Sequence, residues 1–403
     1  MFSPRNRSHA YNARGVLLPI FAVVAVACAA PTPNGIEVDE GSYSAHEVVG
    51  GLERPWGLDF LRPQSADQAL VTERAGGLQL IDLAEGTRQA VGGEVPEVVA
   101  RGQGGMLDVA VHPEYGEGDG ENDWIYLTYS GANDNGSGYA THLGRARFNP
   151  DDASLFDFEV LYVAEPFHSQ TGHFGSRIIF DTDGYLYMTS GDRRERDSAQ
   201  DLSSNWGKIF RFHDDGSIPD DNPFVGDPDA LDAIYTYGHR NPQGLAIHPQ
   251  TGDLWQNEHG ERDGDEINII DTPGGNYGWP VAVYDREYVG GAAIGDLPHE
   301  RDDIINPIYW WDGTRYDDGQ SGFPPSGMAF TNDGLFMGNL ANQYLGWFHL
   351  DGTDRSSAEV TGESRILGGY GRVRDVRSRE NSDALYVLID ADDAPLLRVT
   401  VEP

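Results

Sequence analysis

An all-β, six-bladed β-propeller with four-stranded blades is the architecture this 403-residue sequence predicts. Three observations carry the prediction. One small unit recurs six times: a Gly or Arg, an apolar run, a polar turn, then a second run rich in aromatic and β-branched residues. The turns are hairpin turns, such as Asp181-Thr182-Asp183-Gly184 and Asn332-Asp333-Gly334, whose glycines accept a positive φ. The 51 glycines and short apolar runs favour many turns over long helices. Six units over roughly 360 residues match blades of about 40–50 residues plus loops. A pair of β-sandwiches explains the strands but not the recurrence. A propeller hides its sheet edges by radial repetition and leaves a central channel whose mouth is the usual site.

In chain order, the first unit is Trp56–Phe60 with the runs Ala69–Thr72 and Leu78–Asp82. The second is Gly105–Pro113 with Trp124–Tyr129, and the third Ser176–Phe180 with Tyr185–Thr189. The fourth is Gly244–Ile247 with Asp253–Trp255, joined by the turn His248-Pro249-Gln250-Thr251-Gly252. The fifth is Gly327–Phe330 with Leu335–Gly338, and the sixth Val373–Arg377 with Ala384–Leu388.

Residues 1–27 read as a lipoprotein-type signal peptide. Arg5, Arg7 and Arg14 form a positive n-region, and Val16 to Ala27 is an apolar stretch too short to span a membrane. It ends Ala25-Val26-Ala27-Cys28, like a lipobox. Cys28 is the only cysteine, so an intrachain disulfide is excluded and lipidation is expected. Residues 28–45 read as an acidic, Pro/Gly tether, and 46–403 as the propeller. Export to the periplasm or cell envelope follows, with membrane contact only through the Cys28 lipid. With the three leader arginines removed, 25 basic residues face 65 acidic ones, a formal charge of −40. Such a surface repels nucleic acid and anionic headgroups. Lys208 is the only lysine, and acid excess with so little lysine suggests salt adaptation.

The stretch from Ile234 to Trp279 concentrates polar residues at strand ends. Gly238-His239-Arg240-Asn241-Pro242-Gln243-Gly244 and Glu258-His259-Gly260-Glu261 flank the fourth unit, as a ligand site on a β scaffold requires. Further clusters stand in order along the chain. They are Gly102-Gln103-Gly104-Gly105, His173-Phe174-Gly175-Ser176-Arg177, Ser190-Gly191-Asp192, Gly207-Lys208-Ile209, Asp265-Glu266-Ile267-Asn268, Asn276-Tyr277-Gly278-Trp279-Pro280 and Gly371-Arg372-Val373-Arg374.

From Trp56 to Arg398 this ordered set resembles the soluble, pyrroloquinoline-quinone-dependent glucose/sorbosone dehydrogenases, in particular the aldose sugar dehydrogenases. The resemblance implies an oxidoreductase that oxidises the anomeric carbon of an aldose to a lactone. It implies His173 as the general base, with Gln103 beside it at the cofactor rim and Arg240 and Asn241 on the quinone carbonyls. Arg372 and Arg374 would pair with the cofactor carboxylates, and Tyr288 would line its plane. The carbonyls of Gly260 and Glu261 would hold a calcium, and Glu266 with the Tyr277 carbonyl a second one. Electrons would leave to a quinone or small redox carrier. Elementary chemistry agrees: guanidinium suits carboxylate, Arg372 and Arg374 share one strand face, calcium takes oxygen ligands, and neutral histidine is a base near pH 7.

Several positions depart from the family pattern. A lysine often follows the fifth unit's strand; here the chain reads Leu340-Ala341-Asn342-Gln343, so Asn342 or Gln343 would have to replace it. The glucose-specific branch has an aspartate before the histidine, and Gly172 here favours the broader aldose branch. Glu261 stands where the family often has proline. Asp192 is a candidate to orient the histidine. Arg193, Arg194 and Arg196 alternate with Glu195 and Asp197, the pattern of a solvated loop with substrate contact left open. His112 and His248, each before proline, read as structural. Two rival readings are a calcium-dependent lactonase, which needs a side-chain carboxylate cage in the channel, and a non-catalytic carbohydrate- or protein-binding propeller.

Overall fold

The computed structural model describes residues 37–61, 67–311, 322–379 and 382–402. The signal peptide, Cys28 and the rim loop 312–321 lie outside the described residues. Six sheets surround one axis. Blade 1 runs outward through Pro55–Phe60, Gln68–Glu73, Gly77–Asp82 and Thr87–Ala90. Blade 2 begins at Met106–Val111, blade 3 at Ile178–Phe180, blade 4 at Pro242–Ile247, blade 5 at Pro325–Thr331 and blade 6 at Val373–Ser378. Each of these is the inner strand of an antiparallel meander. The six repeated units thus become the six inner hairpins.

Two details differ from four equal strands per blade. Gly92–Gly93 adds a short parallel fifth strand to blade 2, and Glu37–Glu40 adds one to blade 5. The stretch expected to be tether is therefore sheet from Glu37 onward. Ser42–Leu52 then pairs antiparallel with Ala394–Glu402 and supplies the outer strand of blade 6. The physical reason is edge satisfaction. The last strand of the chain presents unpaired N–H and C=O groups, and an amino-terminal strand that covers them locks the ring.

Apolar side chains fill the gaps between blades. Leu70, Leu80, Val109 and Leu127 join blades 1 and 2. Leu143, Met188, Phe210 and Phe212 join 2 and 3. Tyr187, Ile209 and Leu245 join 3 and 4, and Trp255, Trp311, Phe330 and Phe348 join 4 and 5. The largest group links blades 5, 6 and 1 across the closing strand.

The axis itself is polar. In five blades the pairing of the inner strand shifts register near its start: between Pro55 and Leu58, Met106 and Val109, Pro242 and Gly244, Pro325 and Met328, and Val373 and Asp375. Such bulges re-aim side chains beside active sites. They bring Asp108 and Asp375 to the axis, where both are fully buried. Arg177 meets Asp108 at 2.8 Å and lies 3.1 Å from Asp375. It also donates to the Gln243 carbonyl and covers the Trp56 ring at 4.5 Å. Arg377 meets the same two carboxylates at 3.3 and 3.4 Å. Asp375 accepts Leu58 N–H, and Asp108 accepts Ile178 N–H.

Arg177→Met would leave Asp108 and Asp375 buried with only Arg377 as cationic partner. Breaking a buried pair from one side costs about 3–5 kcal/mol. A matching loss of urea stability is expected, and a change under about 1 kcal/mol would show that the axis does not depend on this pair.

Candidate active site

The bulged starts of the inner strands ring one mouth of the channel, and two adjoining cavities open there. One, of about 260 Å³, is bounded by Trp56, Gln243, Arg372, Arg374 and Asp390. The other, of about 520 Å³, is bounded by His173, Asp192, Arg240, Glu261 and Tyr288. Gln103, His259 and Pro324 belong to both. They are two lobes of one site.

His173 stands on the loop before blade 3 with φ 52°. A non-glycine residue held in the left-handed region stores strain, which clusters at functional sites. Two contacts hold it: its N–H donates to Gln103 Oε1 at 2.7 Å, and its Nδ1 lies 2.7 Å from Asp192 Oδ1. A carboxylate only accepts, so Nδ1 carries the proton and Nε2 keeps its lone pair. Burial pushes the His173 pKa below its ordinary value, and the charges of Arg240 and Arg194 push the same way. The imidazole is therefore neutral at pH 7. Burial would raise Asp192, yet its bond with His173 and the charge of Arg240 hold it below the usual carboxylate range.

Asp192 is the hub of this lobe. Its Oδ1 also accepts Arg194 N–H at 2.8 Å, and its Oδ2 accepts the Trp279 indole N–H at 2.9 Å. Trp279 is buried beneath Arg240, whose guanidinium lies 5.2 Å from its ring. Ala199 packs against Trp279. Lys208, fully buried, donates to the carbonyls of Ser198, Ala199 and Trp206. Burial lowers its pKa to about 7. The single lysine thus anchors the short turn Arg196–Ala199 behind Trp279.

Arg240 is held by the carboxylate of Glu261 at 2.7 Å, and Arg196 shares that carboxylate at 2.9 Å. The sequence signal for this was Glu261 itself, read only for its backbone. Asn241 accepts Gly175 N–H at 3.3 Å. Tyr288 is 63% exposed and borders the larger lobe, not the arginine lobe expected to hold the cofactor plane. Arg193, expected in a solvated loop, is buried, with its guanidinium 3.6 Å from the Phe174 ring centre.

The arginine lobe is cationic. Arg372 and Arg374 share Asp390, at 3.1 and 3.4 Å, and Arg54 stands 3.7 Å from the same carboxylate. Burial and neighbouring cations push Arg374 down to about 10. Arg54 is itself paired with Asp392 at 2.7 Å, so three guanidiniums face two carboxylates, a small cationic excess that suits a ligand with several carboxylates, which is the chemistry of pyrroloquinoline quinone. Leu340 and Ala341 border this lobe, whereas Asn342 and Gln343 do not. No polar side chain there replaces the lysine of the family pattern.

For calcium, the donors present are backbone carbonyls. Gly260 N–H is bonded to Asp265 and Glu261 N–H to Asp285, at 3.0 and 2.8 Å. A side chain at Gly260 would collide with the Asp263 carbonyl and the Asp285 carboxylate, so only glycine fits. Asp265 is raised to about 7 and Asp285 well above its ordinary value, both chiefly by burial. Glu266 stands across the ladder from Glu258, and burial with that neighbouring charge raises it too. Glu258 bonds His239 at 2.9 Å, and His239 stacks on Tyr277. This excess of buried carboxylate fits a cation, although among the described residues no three His, Cys, Asp or Glu side chains converge to hold one.

Comparison with known proteins places the chain among its relatives. The glucose/sorbosone dehydrogenase family model matches residues 52–398. The aldose sugar dehydrogenase YliI of Escherichia coli is 35% identical over 397 residues, covering 95% of this chain and 97% of that protein. The crystal structure of the soluble E. coli aldose sugar dehydrogenase in its apo-form superposes with a TM-score of 0.79 at 34% identity, covering 89% of this chain and all of that one. The PQQ-bound aldose sugar dehydrogenase of Streptomyces coelicolor superposes at 0.71 with 28% identity, covering 90% of this chain and all of that one. In sequence and in fold alike, this chain belongs to the glucose/sorbosone dehydrogenase family.

Proposed function

We propose that the protein oxidises the anomeric carbon of an aldose to the lactone, as a quinoprotein that takes pyrroloquinoline quinone and calcium. The observation that carries the reading is the His173–Asp192 pair at 2.7 Å, set between a polar lobe and a lobe rich in arginine. The sugar enters the larger lobe. His173 Nε2 takes the proton of the anomeric hydroxyl, and Asp192 holds the ring in the tautomer that leaves Nε2 free. Asp192 also stabilises the imidazolium that forms. Trp279 fixes the second oxygen of Asp192, so the carboxylate cannot rotate away. Arg374, Arg372, Arg240, Asn241 and Gln103 would hold the cofactor, and the carbonyls of Gly260 and Glu261 would hold calcium against it. When bound, the quinone supplies the two-electron acceptor for the hydride leaving C1, and calcium supplies Lewis-acid polarisation.

Export, lipidation at Cys28 and electron transfer to a quinone or small redox carrier complete the proposal. They rest on the leader sequence and on the family's chemistry.

Reconstitution of purified protein with pyrroloquinoline quinone and calcium tests the class, with dye reduction read over a panel of aldoses. His173→Ala is expected to lose about 10²–10⁴-fold in turnover, the usual range for a general base. Cofactor uptake is followed separately by absorbance, to distinguish lost chemistry from lost loading. Sugar-independent dye reduction, or equal turnover in the variant, would count against the mechanism.

The pH profile supplies a second test. A base whose pKa is lowered stays active to lower pH, so kcat/KM should rise through a midpoint below the ordinary histidine value of about 6.5. Trp279→Phe removes a donor from Asp192, makes it a stronger acceptor for His173, and should move the midpoint up. Asp192→Asn removes the charge that favours imidazolium, and should move it down while slowing turnover about 10²–10⁴-fold. Midpoints that stay put in both variants would exclude the dyad as the titrating unit.

A further inference from the structure

We propose that the sugar this site takes is anionic: an aldose carrying a carboxylate or phosphate away from its anomeric carbon, read by Arg194 and Arg262. The inference rests on the reading above and deepens it. Four arginines border the larger lobe: Arg194, Arg196, Arg240 and Arg262. Two of them are neutralised internally, since Arg240 shares Glu261 with Arg196, and Arg196 meets Glu287 at 2.7 Å. Arg194 and Arg262 make no ion pair among the described residues. Both are exposed to the lobe. In a chain with 65 acidic residues, two unpaired guanidiniums on the wall of one cavity stand out.

The acids of the same wall are engaged elsewhere. Asp192 is taken by His173, Trp279 and the Arg194 N–H. Asp265 is taken by the N–H groups of Gly260 and Phe323. Glu261 is taken by Arg240 and Arg196, so each carboxylate bordering the lobe already has partners other than the Arg194 and Arg262 guanidiniums.

Arg194 is also built into place. Arg193 and Arg194 are consecutive left-handed residues, with φ 54° and 65°. Left-handed geometry is unfavourable for a non-glycine residue and persists only where its surroundings enforce it. Asp192 enforces it here through the Arg194 N–H, and Glu195 N–H returns to the Asp192 carbonyl. The turn folds the Arg194 side chain back over Gly172, the residue before His173. The Arg194 Nε lies 2.7 Å from where a β-carbon at Gly172 would stand. Only the missing side chain of Gly172 admits it. The carboxylate that orients the base therefore also sets the arginine beside it, and the two act on one bound molecule. The Arg262 Nη1 lies 2.9 Å from where a β-carbon at Gly291 would stand, in the loop that carries Tyr288. A cavity of about 520 Å³ is of ordinary size for a small ligand.

The test uses holoenzyme loaded with pyrroloquinoline quinone and calcium. It compares kcat/KM for galacturonate against galactose, and for glucuronate and glucose 6-phosphate against glucose. At low salt the anionic member of a pair should exceed its neutral parent about tenfold or more, the worth of one charge-assisted hydrogen bond. Sodium chloride should erode the ratio. Preference for uronates alone assigns a carboxylate, and preference for the phosphate alone assigns a phosphoryl group; both support the inference. Arg194→Gln should cut the ratio about tenfold, and Arg194→Lys should restore part of it. Arg262→Gln, on an exposed loop, gives an independent reading should the Arg194 variant fold poorly. Neutral aldoses oxidised as well as their anionic counterparts would overturn the anionic assignment and leave the dehydrogenase reading standing. Oxidation of neither would overturn the reading beneath it.

Discussion

The buried Arg–Asp network on the axis is the constraint from which the rest of the site follows. Six inner strands cannot close around a central column of large apolar side chains and still leave their bulged ends free. Here they close around Arg177 and Arg377 instead, each sharing Asp108 and Asp375. The network joins blades 2, 3 and 6 directly, and reaches blades 1 and 4 through the carbonyls of Leu58 and Gln243. It also divides the channel. On one side lie the two lobes of the candidate site. On the other a larger cavity, about 1060 Å³, opens between the far ends of the same strands. Size does not choose between the mouths. The smaller lobes carry a buried, hydrogen-bonded histidine of perturbed pKa and several guanidiniums, and these decide it.

A second carboxylate performs the corresponding service at the mouth. Asp192 takes three donors from three parts of the chain: the ring of His173, the backbone of Arg194 and the indole of Trp279. Each donor fixes something different. The histidine contact sets a tautomer, the backbone contact sets a strained turn, and the indole contact ties the blade 3 loop to the insertion between the third and fourth strands of blade 4. One buried anion is thereby satisfied without a partner cation in direct contact, as a buried charge requires.

The fold was legible because its signal is repeated. Six hairpins with Gly-bearing turns and alternating apolar runs give six independent readings of one unit. The closing strand was less visible. Ser42–Leu52 lacks a sharp apolar pattern, since it lies at the rim of blade 6, and so the preceding acidic stretch read as tether. At the site, residues inside motifs were found through the resemblance that the ordered motifs carry, with which their chemistry agrees. What stayed hidden were relations between distant residues. Nothing in local spacing shows that the Glu261 carboxylate reaches Arg240 and Arg196, or that Trp279 reaches Asp192 across 87 positions. Arg193 misled for the same reason: its alternation with acids suggests solvent, while its stacking on Phe174 buries it.

Glu261 bears on how so acidic a protein can receive a polyanionic cofactor. Its carboxylate occupies Arg240, while Arg372 and Arg374 share the single carboxylate of Asp390 and Arg54 is paired with Asp392. The arginine lobe thus keeps three guanidiniums against two carboxylates, whereas the Arg240 guanidinium is already held by Glu261. The wall so arranged gives the two lobes different electrostatic duties. On the function proposed above, the first would hold the cofactor and the second the sugar, since the free cations of the second are exposed and screened by water.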